Sequence, residues 1–181
     1  MSRRVVLLRG VNLGPRNRVA MVDLRAALTD AGFRRVVTHL QSGNVVLDSP
    51  LAGAELGPAV ERVLTDRLGL RSDVIVRSAS ELAAAVEADP FAGLASDPSR
   101  HVLGFLSATP DPDKIALLEK RIAVLPSDGD RHAFDGAHFY LWCPNGISKS
   151  PYFKVAWDRL GVSSTQRNWN TATALLRLVA G

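Results

Sequence analysis

Twice along this chain, strand-like and helix-like segments follow one another in the order β-α-β-β-α-β, and few topologies accommodate such an order around one core. Arg4–Arg9 reads as a strand and leads into a Gly/Asn/Pro/Arg loop from Gly10 to Arg18. Met21, Leu24, Ala27, Leu28 and Ala31 then recur at helical spacing, and Gly32 is a natural terminator. The β-branched runs Val36–Leu40 and Val45–Leu47 flank Ser42-Gly43, a hairpin signal. A second amphipathic helix carries Leu56, Val60, Val63, Leu64 and Leu68, and Asp73–Arg77 supplies a fourth strand.

After a helix near Ser80–Ala88 and a connector from Asp89 to Pro98, the pattern restarts. His101–Ser107 reads as a strand and Asp111–Val124 as a helix with Ile115, Leu118 and Ile122 on one face. Arg131–Phe134 and Ala137–Trp142 form a hairpin about Asp135-Gly136. Pro151–Leu160 reads as helical, an extended piece near Val162 completes the series, and Leu175, Leu176, Leu178 and Val179 mark a last helix. The expected class is α+β, with two tandem ferredoxin-like (βαββαβ) repeats and extra helices. The boundaries fall at 1–78, 79–100 for the helix and connector, and 101–181. The halves share element order, not residues.

Composition agrees with a packed protein: 46% hydrophobic and 22% charged residues leave enough apolar surface for a core, and 181 residues suffice for one large domain or two small ones. No apolar run approaches the roughly 20 residues that cross a bilayer, so no membrane partner is expected. Val5–Leu8, interrupted by Arg9, is too short for the apolar stretch of a signal peptide and reads as a buried strand. The single cysteine, Cys143, excludes an internal disulfide and fits a cytoplasmic setting. It is expected to be an inert buried thiol.

The formal charge is +4, unevenly placed. Eight arginines in the first 40 residues face only Asp23 and Asp30. That excess suggests an anionic partner near the N-terminal part. A preference for arginine over lysine throughout an alanine-rich chain is the competing explanation.

A ferredoxin-like sheet, with strand order 4-1-3-2, puts the end of strand 1 and the hairpin joining strands 2 and 3 on one edge. Arg9, Gly10, Asn12 and Gly14 should therefore converge with Ser42, Gly43 and Asn44. Small residues let backbone approach a ligand, and the polar side chains and Arg9 supply donors. Each cluster also has an ordinary structural explanation as a turn. A second candidate is Arg167-Asn168-Trp169-Asn170-Thr171, where Asn168 or Asn170 can cap the last helix and Arg167 adds charge. Trp169 either stacks on a planar ligand or anchors the helix.

Several chemistries are poorly supported. The loop after strand 1 has neither the Gly-Lys-Ser/Thr of a nucleoside-triphosphate loop nor the glycine fingerprint of a dinucleotide site. His39, His101, His132 and His138 show no metal-ligand spacing, so no metal is expected. No serine sits in a nucleophile elbow and no catalytic residues can be nominated. Val45-Val46-Leu47 lacks the exposed aromatics of an RNA-recognition sheet, so nucleic acid is not the expected partner.

The segments Leu7-Leu-Arg-Gly-Val-Asn-Leu-Gly14, Met21-Val-Asp-Leu-Arg25, Gln41-Ser-Gly-Asn-Val-Val46, Asp89-Pro-Phe91, Pro144-Asn-Gly-Ile147 and Thr165-Gln-Arg-Asn-Trp-Asn-Thr171 resemble an uncharacterised bacterial family, domain-of-unknown-function family 1697. The resemblance implies tandem ferredoxin-like repeats and no established reaction or cofactor. It places Arg9, Gly10, Asn12, Gly14, Ser42, Gly43, Asn44, Arg167, Asn168 and Thr171 at recurrent positions. Relatives often carry Ser-Lys after the Gly-Ile loop, whereas this chain has Ser150-Pro151 with Lys149 in front. Three readings follow: a cytosolic protein binding a small anionic or nucleotide-like ligand at the first repeat's loops, an enzyme using the same cleft, or an interaction module without a ligand.

Overall fold

The computed structural model describes residues 1–181 as a mixed α+β protein with two four-stranded antiparallel sheets and five α-helices. Residues 1–84 and 174–181 make one compact unit and residues 85–173 another, so the division falls inside two helices. No helix is long and apolar enough to cross a membrane.

In the first unit, β1 (Ser2–Leu8), β2 (Arg34–His39), β3 (Asn44–Ser49) and β4 (Val74–Ser78) lie in the order β2-β3-β1-β4. Helices α1 (Met21–Asp30) and α2 (Gly53–Leu68) pack on one sheet face. Strand periodicity explains which side chains meet them. Val6, Leu8, Val45 and Leu47 point toward Leu24, Leu28, Leu56, Val60 and Leu64, and all nine are fully buried. Val5, Leu7, Val46 and Ile75 on the opposite face are buried as well. Burial of both faces is why Val5–Leu8 is an uninterrupted apolar run. Helix α3 (Ala79–Glu87) follows β4, and near the chain's end Leu178 O accepts a 3.0 Å hydrogen bond from Arg3 Nε.

In the second unit, β5 (His101–Leu106), β6 (Arg131–Asp135), β7 (His138–Trp142) and β8 (Ser164–Asn168) take the order β6-β7-β5-β8. Helix α4 (Pro112–Ile122) begins where Asp111 accepts a 2.8 Å hydrogen bond from Asp113 N, with Pro112 at its first position. Helix α5 (Trp169–Ala180) closes the chain.

The two sheets agree in detail as well as in order. Leu8 N donates to Gly43 O, and Leu106 N to Ala137 O. Arg9 N donates to Asp73 O, and Ser107 N to Ser163 O. Val5 faces Arg77 as Leu103 faces Arg167. Arg77 and Arg167 thus occupy equivalent positions, each buried and each donating from Nη1 to the preceding residue's carbonyl at 2.8 Å. This residue-level correspondence is invisible in a plain reading of the halves.

Two expectations need correction. Pro151–Leu160 is not an α-helix but two short 3-10 turns, Pro151–Lys154 and Trp157–Leu160, with extended backbone at Val155 between them. Aromatic anchoring overrides periodicity here: Tyr152 and Trp157 are buried, and Trp157 stacks on Phe139 at 4.2 Å. The extended piece expected near Val162 is β8, which takes in Arg167 and Asn168. The last helix therefore starts at Trp169.

Candidate functional site

The end of β1 and the β2–β3 hairpin do meet. Leu8 N donates to Gly43 O at 2.8 Å, and the Asn12 side-chain amide donates to Gln41 O at 2.7 Å. Most polar groups expected there to serve a ligand hold the meeting together instead. Asn12 also donates to Val19 O and accepts from Val19 N, so its amide is consumed by its own loop. Asn44 is fully buried, its Nδ2 donating to His39 O at 2.9 Å and Ser42 Oγ at 3.0 Å. Gly43, at φ +76°, lies so close to β1 that a Cβ there would stand 2.5 Å from Val11 Cγ2 and 2.7 Å from Leu8 Cβ. Asn44 and Gly43 are both buried. Buried amides must be satisfied internally, as that of Asn44 is, and the hairpin's close approach packs Gly43 against β1. Gly14 stands exposed in the loop with open space around it.

Arg9 and Gly10 open the other way. With Asn17, Glu61, Thr65, Arg71, Ser72 and Asp73 they line a cleft of about 570 Å³. Its far wall is α2 and the α2–β4 loop, not the hairpin. Strand pairing explains this wall, because β4 runs antiparallel to β1 and its first residue, Val74, pairs with Leu8. The Ser72 hydroxyl clips the wall to Arg9, accepting from Arg9 N at 2.9 Å and donating to Arg9 O at 2.8 Å.

The charges in the cleft are not equivalent. Glu61 Oε1 accepts a 2.9 Å bond from Val74 N, and Asp73 Oδ2 lies 3.3 Å from Arg9 Nη1. Both carboxylates therefore have partners. Arg71 is exposed and makes neither a hydrogen bond nor an ion pair, and Gly10, exposed at φ +67°, makes no hydrogen bond. Of the two cations and two carboxylates that line the cleft, Arg71 is the one charge without a partner, and a lone exposed guanidinium suits an anion. Glu61, Thr65, Arg71, Ser72 and Asp73 were missed in the sequence reading. The expected strand order contained the signal, since strand 4 must start beside the end of strand 1.

The Arg167–Thr171 segment is built inward. Arg167 is buried, donates to Thr165 Oγ1 at 2.7 Å, and is pushed down to about 10 by loss of solvent. Asn168 Oδ1 accepts from Thr171 N and Thr171 Oγ1, both at 3.0 Å, and so caps α5 as expected. Trp169 stacks at 4.1 Å on His101, whose Nε2 lies 3.1 Å from Asp89 Oδ1. Asp89 also receives Phe91 N at 2.9 Å. Burial holds His101 below the ordinary histidine value despite Asp89. Asp89-Pro-Phe91 and Arg167–Thr171 are thus joined by a packed His–Trp pair. Cys143 is fully buried, and burial pushes its thiol up to about 11. No group of three or more His, Cys, Asp or Glu side chains is placed to hold a metal ion.

A family model described as "Protein of unknown function (DUF1697)" matches residues 1–140, and the chain belongs to that family. No curated protein matches it. Among solved structures, the chain is similar to conserved bacterial protein SP0830 from Streptococcus pneumoniae, at 24% identity and a TM-score of 0.74 over 98% of each chain. At that identity the likeness concerns the fold.

Proposed function

We propose that this DUF1697 protein binds a small anionic or nucleotide-like ligand in the cleft between Gly10 and Arg71. The observation that carries the reading is the pairing of an uncommitted guanidinium with an exposed, left-handed Gly10 across a cleft of about 570 Å³. That volume lies within the roughly 300–1,000 Å³ typical of small-molecule sites. Arg71 supplies the charge, and the Gly10 amide approaches without a side chain in the way. Ser72 has no neighbouring base among its partners, all of which are backbone groups of Arg9 and Asp73, so the cleft is read as a binding site.

Around this site, each sheet with its helices is read as a ferredoxin-like repeat, a reading supported by the shared strand order. A cytosolic setting is supported by the use of a single, buried cysteine.

A thermal-shift screen of nucleotides and phosphorylated metabolites tests the proposal. A ligand at 100 times its Kd should stabilise the wild type by about 2.7 kcal/mol. Arg71→Ala should lose that response, while Asn44→Ala should start from a lower Tm and keep it. A screen without a hit, or a hit that Arg71→Ala retains, removes the reading.

A further inference from the structure

Asn12 closes a narrow neck. Its N–H donates to Asn17 O at 3.0 Å, its side chain brackets Val19 with two bonds, and a further bond to Gln41 O fastens the loop to the β2–β3 turn. Beyond that neck, every residue from Leu13 to Arg18 is exposed. Leu13 is 82% and Leu40 59% exposed, and they flank the two residues joined by the Asn12–Gln41 bond. Leu40 is held at φ +56°, a conformation that residues other than Gly, Asn and Asp seldom adopt. Backbone strain and four hydrogen bonds therefore hold two leucines out in water, which a core does not require.

The surroundings are basic. Arg16 and Arg18 stand on the same loop without an ion pair, and Arg25 Nη1 donates to Thr38 Oγ1 at 2.6 Å, two residues before Leu40. We propose that this face docks on an anionic phospholipid surface, with Leu13 and Leu40 entering the acyl boundary and the arginines meeting headgroup phosphates. Aliphatic tips without aromatics are poor platforms for stacking bases. A side chain 82% exposed lines no recess into which a partner's anchor could be seated. The absence of a spanning segment, from which no membrane partner was expected, does not bear on surface docking. The loop also lends Asn17 to the Arg71 cleft, but Leu13, Arg16, Arg18 and Leu40 do not line it, so the two proposals are tested by different variants.

The test is sedimentation of the full chain with phosphatidylcholine vesicles, with and without phosphatidylserine. Binding should require phosphatidylserine and weaken with salt. R16Q/R18Q should lower the binding constant about 25-fold, near fivefold per arginine, and L13S/L40S about tenfold or more. All four positions are exposed, and an unchanged circular dichroism spectrum checks that the variants fold. Absence of binding, equal binding to both vesicle types, or undiminished binding by L13S/L40S overturns the proposal. So does a gel shift of single-stranded RNA that depends on the leucines when vesicles show none.

Discussion

Gly43 and Gly14 belong to the two polar clusters that the sequence marks alike, yet the structure gives them opposite fates under the same substitution. In Gly43→Ala, the new methyl carbon would sit 2.5 Å from Val11 Cγ2 and 2.7 Å from Leu8 Cβ, both on fully or almost fully buried residues. Relieving such overlap in a packed core costs about 1–3 kcal/mol. Holding alanine at φ +76° adds about 1–2 kcal/mol. The reduced freedom of the unfolded chain returns about 0.4–1 kcal/mol. The net expectation is a loss of about 2–4 kcal/mol, or roughly 4–16 °C in Tm for a chain of this size. Gly14 meets nothing within 4 Å and has no left-handed backbone, so Gly14→Ala should be neutral or slightly stabilising. Paired urea and thermal melts read both. Equal effects at the two positions, or a loss below about 1 kcal/mol at Gly43, would refute the claim that the hairpin is pressed against β1.

Asn44→Ala should destabilise by about 1–3 kcal/mol, because His39 O loses a buried donor; a Tm equal to wild type would show that the amide is dispensable. Burial lowers the pKa of both His101 and His132, with Asp89 and Glu119 respectively offsetting only part of the effect. The unfolded chain then takes up protons first, so stability should be flat above about pH 6.5 and fall as pH drops from there through the folded values. A Tm unchanged or rising between pH 7 and 5 would contradict this. Cys143, buried with its thiol pushed up to about 11, should react with a disulfide reagent at pH 8 far more slowly in the native protein than in guanidinium; equal rates would mean the thiol is open.

Much of the architecture was readable because it rests on local signals. Alternation, helical spacing and the Ser42-Gly43 and Asp135-Gly136 turns carry the eight strands and most helices within a few residues. Legibility failed where tertiary contact decides. Nothing in the spacing of Tyr152, Trp157 and Leu160 signals that stacking on Phe139 replaces an α-helix by separated 3-10 turns. The candidate site was half legible for a similar reason. Topology predicted that the loop after β1 would meet the hairpin, but a sequence does not say whether an asparagine's amide faces water or its own backbone. Asn12 and Asn44 face backbone. The residues left open, Arg71 and Gly10, sit where β4 begins beside the end of β1.

The most direct test of the central claim is a two-dimensional amide NMR titration of the full chain with inorganic phosphate, then with a nucleoside monophosphate. Saturable shifts should concentrate at Gly10, Asn17 and Arg71–Asp73, leaving Gly43 and Asn44 still. Saturable shifts centred elsewhere, or none at either ligand, would contradict an anion site in this cleft.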